Sequence, residues 1–123
     1  MFDVDFGRLS ESYFNATPSD FDMIYLGSLT ILALGGDQVI RCWACGTHAI
    51  TYTHAGAQKV YDFLTRSPEI YALDVMLAQN YYTHRVPIQH YNWNYKRLVS
   101  FGNTGLVFQD RAMGTTIQNQ ACK

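Results

Sequence analysis

The chain has 123 residues, 48% hydrophobic, 15% aromatic and 15% charged, and nine Lys and Arg against ten Asp and Glu leave a formal net charge of -1. That length suits one packed domain and is too short for two independent ones, so residues 1–123 are expected to form a single unit. The apolar content argues against disorder, and the charge balance offers no basic field to a phosphate backbone, so nucleic acid is not an expected partner.

In chain order, Phe6, Leu9, Tyr13 and Phe14 recur at helical spacing and predict a short amphipathic helix, closed by the loop residues Thr17-Pro18-Ser19-Asp20. Asp22 to Leu26 is an apolar run ended by Gly27 and predicts a buried strand. Leu29 to Leu34 and Val39 to Trp43 flank Gly35-Gly36-Asp37-Gln38, whose turn chemistry predicts a hairpin. Thr47 to Thr53 alternates, with His48, Ile50 and Tyr52 on one face, and predicts another strand. Thr53 is a predicted N-cap for a helix carrying Ala57, Val60, Tyr61 and Leu64, which stops before Pro68. A further helix over Leu73 to Tyr82 places Leu73, Met76, Leu77 and Tyr81 on one stripe and Asp74 in its first turn, where a carboxylate suits the helix dipole. Pro87 cannot donate to a ladder, so Val86 to Tyr91 is predicted as an edge strand. The tail from Gly102, with only Leu106 to Phe108 apolar, is predicted to be largely irregular. Strands and helices mixed in this way predict an α/β or α+β layer fold.

No apolar run approaches the roughly 18 residues of a membrane helix, so no membrane span is expected. The acidic opening with Asp3 and Asp5 is unlike a signal peptide. Three spread cysteines make no disulfide framework, and buried free thiols in a reducing, cytoplasmic compartment are the expectation. A secretory lumen is the alternative if the native chain is longer, and the sequon Asn15-Ala16-Thr17 points that way, though Pro18 follows it. Cys42-Trp43-Ala44-Cys45 is half of a zinc or redox motif; the remaining candidates Cys122, His54, His84 and His90 have no paired spacing.

Asp20-Phe21-Asp22-Met23-Ile24-Tyr25-Leu26-Gly27 is similar to the "DWDLIYLG" strand of family 25 glycosyltransferases, the lipooligosaccharide and collagen-galactosyltransferase type. Gly46-Thr47-His48-Ala49-Ile50, followed by Gly56-Ala57 and the helix to Leu64, resembles that family's "GTHAYxxSxxGAxKLL" stretch in order and distance. Leu73-Asp74-Val75 falls where the family opens a helix with Pro-x-Asp, here with Ala72 for the proline. Leu106-Val107-Phe108-Gln109, with Thr116-Ile117 behind it, resembles the closing block, with Thr116 at its acidic position. The similarity runs over residues 3 to 117. At the family's metal motif the chain keeps Asp3, Val4 and Phe6 but has Met1 and Phe2 in place of the first two acids, leaving Asp3-x-Asp5 as a replacement pair.

The resemblance implies a GT-A-like nucleotide-sugar transferase fold, represented by its C-terminal half and lacking the N-terminal nucleotide-binding strands. It implies transfer of a hexose from a nucleotide sugar to a saccharide, glycoprotein or hydroxylysine acceptor. Mn²⁺ or Mg²⁺ held by Asp3 and Asp5 would neutralise the diphosphate leaving group. In an extended segment these acids, at i and i+2, would share a face. Asp74 is the candidate general base for the acceptor hydroxyl, its other reading being a helix-dipole partner. His48, Thr47, Tyr52 and Gln109 are the candidate substrate contacts, and His48 reads equally as a structural residue. The aromatic group Tyr81, Tyr82, Tyr91, Trp93 and Tyr95, with Lys96 and Arg97 close behind, is read as core plus an interface for a partner chain or second copy, ahead of a sugar platform. A non-catalytic remnant that binds glycan or protein is the alternative.

Overall fold

The computed structural model describes residues 2–28, 30–31, 37–95 and 104–107. In order these form α1 (Phe6–Ala16), β1 (Met23–Ser28), β2 (Thr30–Ile31), β3 (Val39–Ile40), β4 (Ala44–Cys45), β5 (Ala49–Tyr52), α2 (His54–Arg66), α3 (Leu73–Thr83), β6 (His90–Trp93) and β7 (Thr104–Gly105). The fold is mixed α and β around a small mixed sheet ordered β3-β6-β1-β5, with β7 also pairing with β1; β2 and β4 make a separate two-stranded ribbon. Among the described residues no helix is long and apolar enough to cross a membrane.

β1 organises both layers, because alternate side chains of a strand point to opposite faces. Met23 and Tyr25 join Trp43, Ala44, Cys45, Val60 of α2 and Leu77 of α3 in one core. Ile24 joins Tyr13 of α1, Trp93 and Leu106 in the other. The sheet is therefore covered by α2 and α3 on one face and by α1 on the other. Both faces of β1 are dry, which is why its sequence is a continuous apolar run and not an alternating one.

The helices form where the sequence places them, and Thr53 Oγ1 caps α2 by accepting from the Gly56 amide at 2.9 Å. One strand expectation is corrected, and the hairpin expected across Gly35-Gly36 falls largely outside the described residues. Among the described residues β3 pairs antiparallel with β6, and β2 pairs with β4. Val39 gains the Trp93 and Tyr95 side of the core by this pairing. The segment before Tyr91 does not make an edge strand: Pro87 lies ahead of β6, and β6 sits inside the sheet, parallel to β1 and antiparallel to β3. Of the tail, residues 104–107 are described: β7 pairs with the end of β1, and Leu106, in the apolar stretch, is fully buried. Cys42 is buried as expected, whereas Cys45 is disulfide-bonded and corrects the expectation of a thiol there; the two cysteines of the Cys-x-x-Cys do not bridge one another.

A half-buried ion pair fixes the amino end of β1. The Asp22 carboxylate accepts from Lys59 Nζ at 3.1 and 2.9 Å and from the Gln89 amide at 2.8 Å, and Lys59 also donates to the Pro87 carbonyl at 3.1 Å. α2 lies so close here that a Cβ on Gly56 would sit 1.9 Å from the Asp22 carbonyl oxygen. Gly56→Ala is expected to push α2 off β1 and to cost about 2 kcal/mol, the usual range for overpacking. Urea denaturation measures this, and a cost below about 0.5 kcal/mol would contradict the close approach.

Candidate functional site

The carboxyl end of a parallel strand pair is where ligands bind in open α/β sheets, because loops diverge there and leave a crevice. In this chain the parallel pair is β1 and β6, aligned Met23 to His90, Ile24 to Tyr91 and Tyr25 to Asn92. Beyond that pairing, β7 takes over beside β1 through Gly27 and Ser28.

Asp3 lies at this edge. Its amide donates to the Leu106 carbonyl at 2.7 Å, and Phe2 bridges Val107. The side chain is buried, and Oδ1 accepts from the Asp5 amide at 2.8 Å. The two acids are thus held in one turn entering α1, in place of the extended segment expected from sequence. Asp5 stands at the N-cap of α1, and its carboxylate lies 3.4 Å from the Arg8 guanidinium.

His48 reaches the same edge from the loop before β5, donating from Nε2 to the Val107 carbonyl at 3.2 Å. A carbonyl only accepts, so this bond makes Nε2 the protonated nitrogen. Gly27 permits the convergence, because a Cβ there would fall 1.5 Å from the Val107 oxygen and 3.2 Å from His48 Nε2. The glycine ending the "DWDLIYLG"-like strand thus has a local physical reason. Thr47, beside His48, is exposed.

Asp74 approaches from the other side of the sheet. It sits in the first turn of α3, with Oδ1 accepting from the Val75 amide at 2.9 Å and Oδ2 lying 3.9 Å from Cys45 Sγ. β4 pairs with β2, the strand that follows β1, while the far end of α3 packs Tyr81 on His90 at the start of β6. The amino end of α3 is therefore at the carboxyl end of β1, on the face opposite α1.

Asp3 and His48 each bond the backbone of residues 106–107, Asp5 is tied to Asp3, and Asp74 lies at the same end of the sheet across β1. Tyr52 is not brought there. It pairs with Met23 while Ala49 pairs with Gly27, which places Tyr52 roughly 13 Å further along the sheet at about 3.3 Å per residue. There it is half-buried against the α2 and α3 core, and burial raises its pKa. Gln109 lies outside the described residues. Among the described residues no cluster of three or more His, Cys, Asp or Glu forms.

Sequence reasoning missed a second polar group. Tyr25 and His90, both fully buried, stack at 6.0 Å with Tyr25 OH 3.2 Å from His90 Nδ1, and Tyr81 meets the His90 ring edge-on. Burial lifts the Tyr25 pKa well above its usual value and lowers that of His90 to about 4, against the opposing charge of Asp22. The available signal was the alternation of β6, which sends His90 and Asn92 to the Tyr25 face and Trp93 to the α1 face. A scan against protein-family models, a search of curated proteins and a search of solved structures each find no match to this chain.

Proposed function

We propose that this chain is a glycosyltransferase-type domain of the GT-A kind, using the carboxyl edge of β1 to transfer a hexose from a nucleotide sugar to a glycan or glycoprotein acceptor. The observation that supports this reading is the convergence of Asp3, Asp5 and His48 on residues 106–107, with Asp74 at the same edge. Mg²⁺ or Mn²⁺ in such sites is held by one or two carboxylates plus substrate phosphates, so the Asp3 and Asp5 turn has the donor chemistry to hold it. The ion, when bound, neutralises charge on the departing diphosphate. His48 holds the 106–107 segment against β1 and so shapes the cleft. Asp74 takes the proton of the acceptor hydroxyl. The alternative, a non-catalytic glycan- or protein-binding remnant, draws support from the large exposed apolar residues Phe2, Val4, Ile70, Tyr71 and Tyr82.

The test is calorimetry with a panel of nucleotide sugars and Mn²⁺, followed by a transfer assay. The wild-type chain is expected to give saturable, metal-dependent heat that the Asp3→Ala, Asp5→Ala double variant abolishes. Asp74→Asn is expected to keep donor binding while slowing transfer by at least about 100-fold, the lower end for loss of a general base. Absence of metal-dependent binding across the panel overturns the reading in favour of the non-catalytic alternative.

A further inference from the structure

At the amino end of β6, across the sheet from the Asp3 edge, a cleft of about 380 Å³ is lined by Arg41, Tyr81, Pro87, Gln89 and His90, among others. Its size is that of a small-ligand pocket. Arg41 follows β3, which pairs antiparallel with β6, so its backbone lies opposite the amino end of β6. Its exposed guanidinium pairs with no carboxylate among the described residues.

Two further lining residues carry polar atoms with no partner among the described residues. His90 is 1% exposed and its Nε2 is unpartnered, and the Oε1 of Gln89 is buried and unpartnered too. Leaving such atoms unmatched is costly, so a group that satisfies them gains in binding. Their polarity is defined. Tyr25 OH lies 3.2 Å from His90 Nδ1, and a phenol donating there leaves Nε2 as the protonated ring nitrogen. The neutral ring then presents Nε2–H as a donor, whereas Gln89 Oε1 only accepts. The nearby Asp22 carboxylate is neutralised by Lys59, leaving Arg41 as the net charge facing the cleft among the described residues. Tyr81, Pro87 and Ile88 supply apolar wall.

We propose that this cleft binds a single-ring sugar acid, a hexuronate, with its carboxylate on Arg41 and its ring hydroxyls between His90 Nε2–H and Gln89 Oε1. A carboxylate answers the guanidinium, a hydroxyl answers a donor and an acceptor at once, and the apolar face of the ring lies on Tyr81. The site is separate from the carboxyl edge of β1 and does not depend on the transferase reading.

Calorimetric titration of the full chain with D-glucuronate, without metal, is the test, together with long-range ¹⁵N spectra of the histidine rings. Saturable binding is expected, with a shift of the His90 Nε2 resonance. D-glucose, lacking the charge, and the Arg41→Ala variant are each expected to bind at least about tenfold more weakly, the loss of one charge-assisted hydrogen bond. Arg41 is exposed, so its removal leaves the core intact, and Arg41→Lys should restore part of the affinity. The Asp3→Ala, Asp5→Ala variant is expected to bind glucuronate as the wild type does. No saturation, equal binding of glucose, an unchanged Arg41→Ala variant, or loss of binding in the Asp3 and Asp5 variant would each overturn the proposal.

Discussion

Trp93→Ala is expected to lower stability by about 4 kcal/mol, in the range for removing a buried tryptophan. Trp93 is 1% exposed at the end of β6 and packs on Tyr13 at 5.5 Å and Phe14 at 4.7 Å, so its ring joins the sheet to α1. Its Nε1 donates to Thr17 Oγ1 at 3.2 Å, and that hydroxyl in turn donates to the Tyr13 carbonyl at 2.7 Å. The substitution therefore leaves both a cavity and a hydroxyl short of one partner. Thr17→Ala removes only the polar part and is expected to cost about 1 kcal/mol. Urea denaturation checks both: the midpoints should fall while the slopes stay constant. If Trp93→Ala costs no more than Thr17→Ala, the ring does not pack as described.

Stability is expected to fall steeply below neutral pH, and His90 is the reason. Its folded pKa is lowered to about 4 from an ordinary 6.5, with burial the first cause. The unfolded chain thus takes up the proton first, and stability rises with pH between these values. The contribution is complete above about pH 6.5 and is lost as pH falls through about 4. The distance between these two values sets its size at about 3 kcal/mol. Denaturation midpoints measured from pH 7 to 4 should show this slope, and His90→Gln should flatten it. An unchanged slope in that variant would assign the acid sensitivity to other groups.

Asp22 and Asp74 show how differently the sequence exposes its polar residues. Asp74 is legible because a carboxylate in a helical first turn has a local reason, and that turn forms as expected. Asp22 is not legible as a buried carboxylate in an ion pair, because its partners Lys59 and the Gln89 amide lie 37 and 67 positions away. Pairing across such separations is fixed only when α2 and β6 dock on β1. Likewise the turn chemistry at Gly35-Gly36 could not show that β3 takes β6, more than 50 positions on, as a partner. Turn residues permit a reversal; they do not choose which strand receives it.

The sequence by itself determined the three helices, the Thr53 cap and the apolar run of β1, because periodicity and capping act within a few residues and need no distant partner. It also supplied Asp3, His48 and Asp74 as candidates. Only the tertiary structure decided that Asp3 and His48 meet across residues 106–107, that Tyr52 stands at the other end of β1, and that Tyr25 and His90 share a buried contact. The physical reason is register: one strand pairing sets which end of the sheet a residue reaches, and pairing is settled by burying both faces of β1 together.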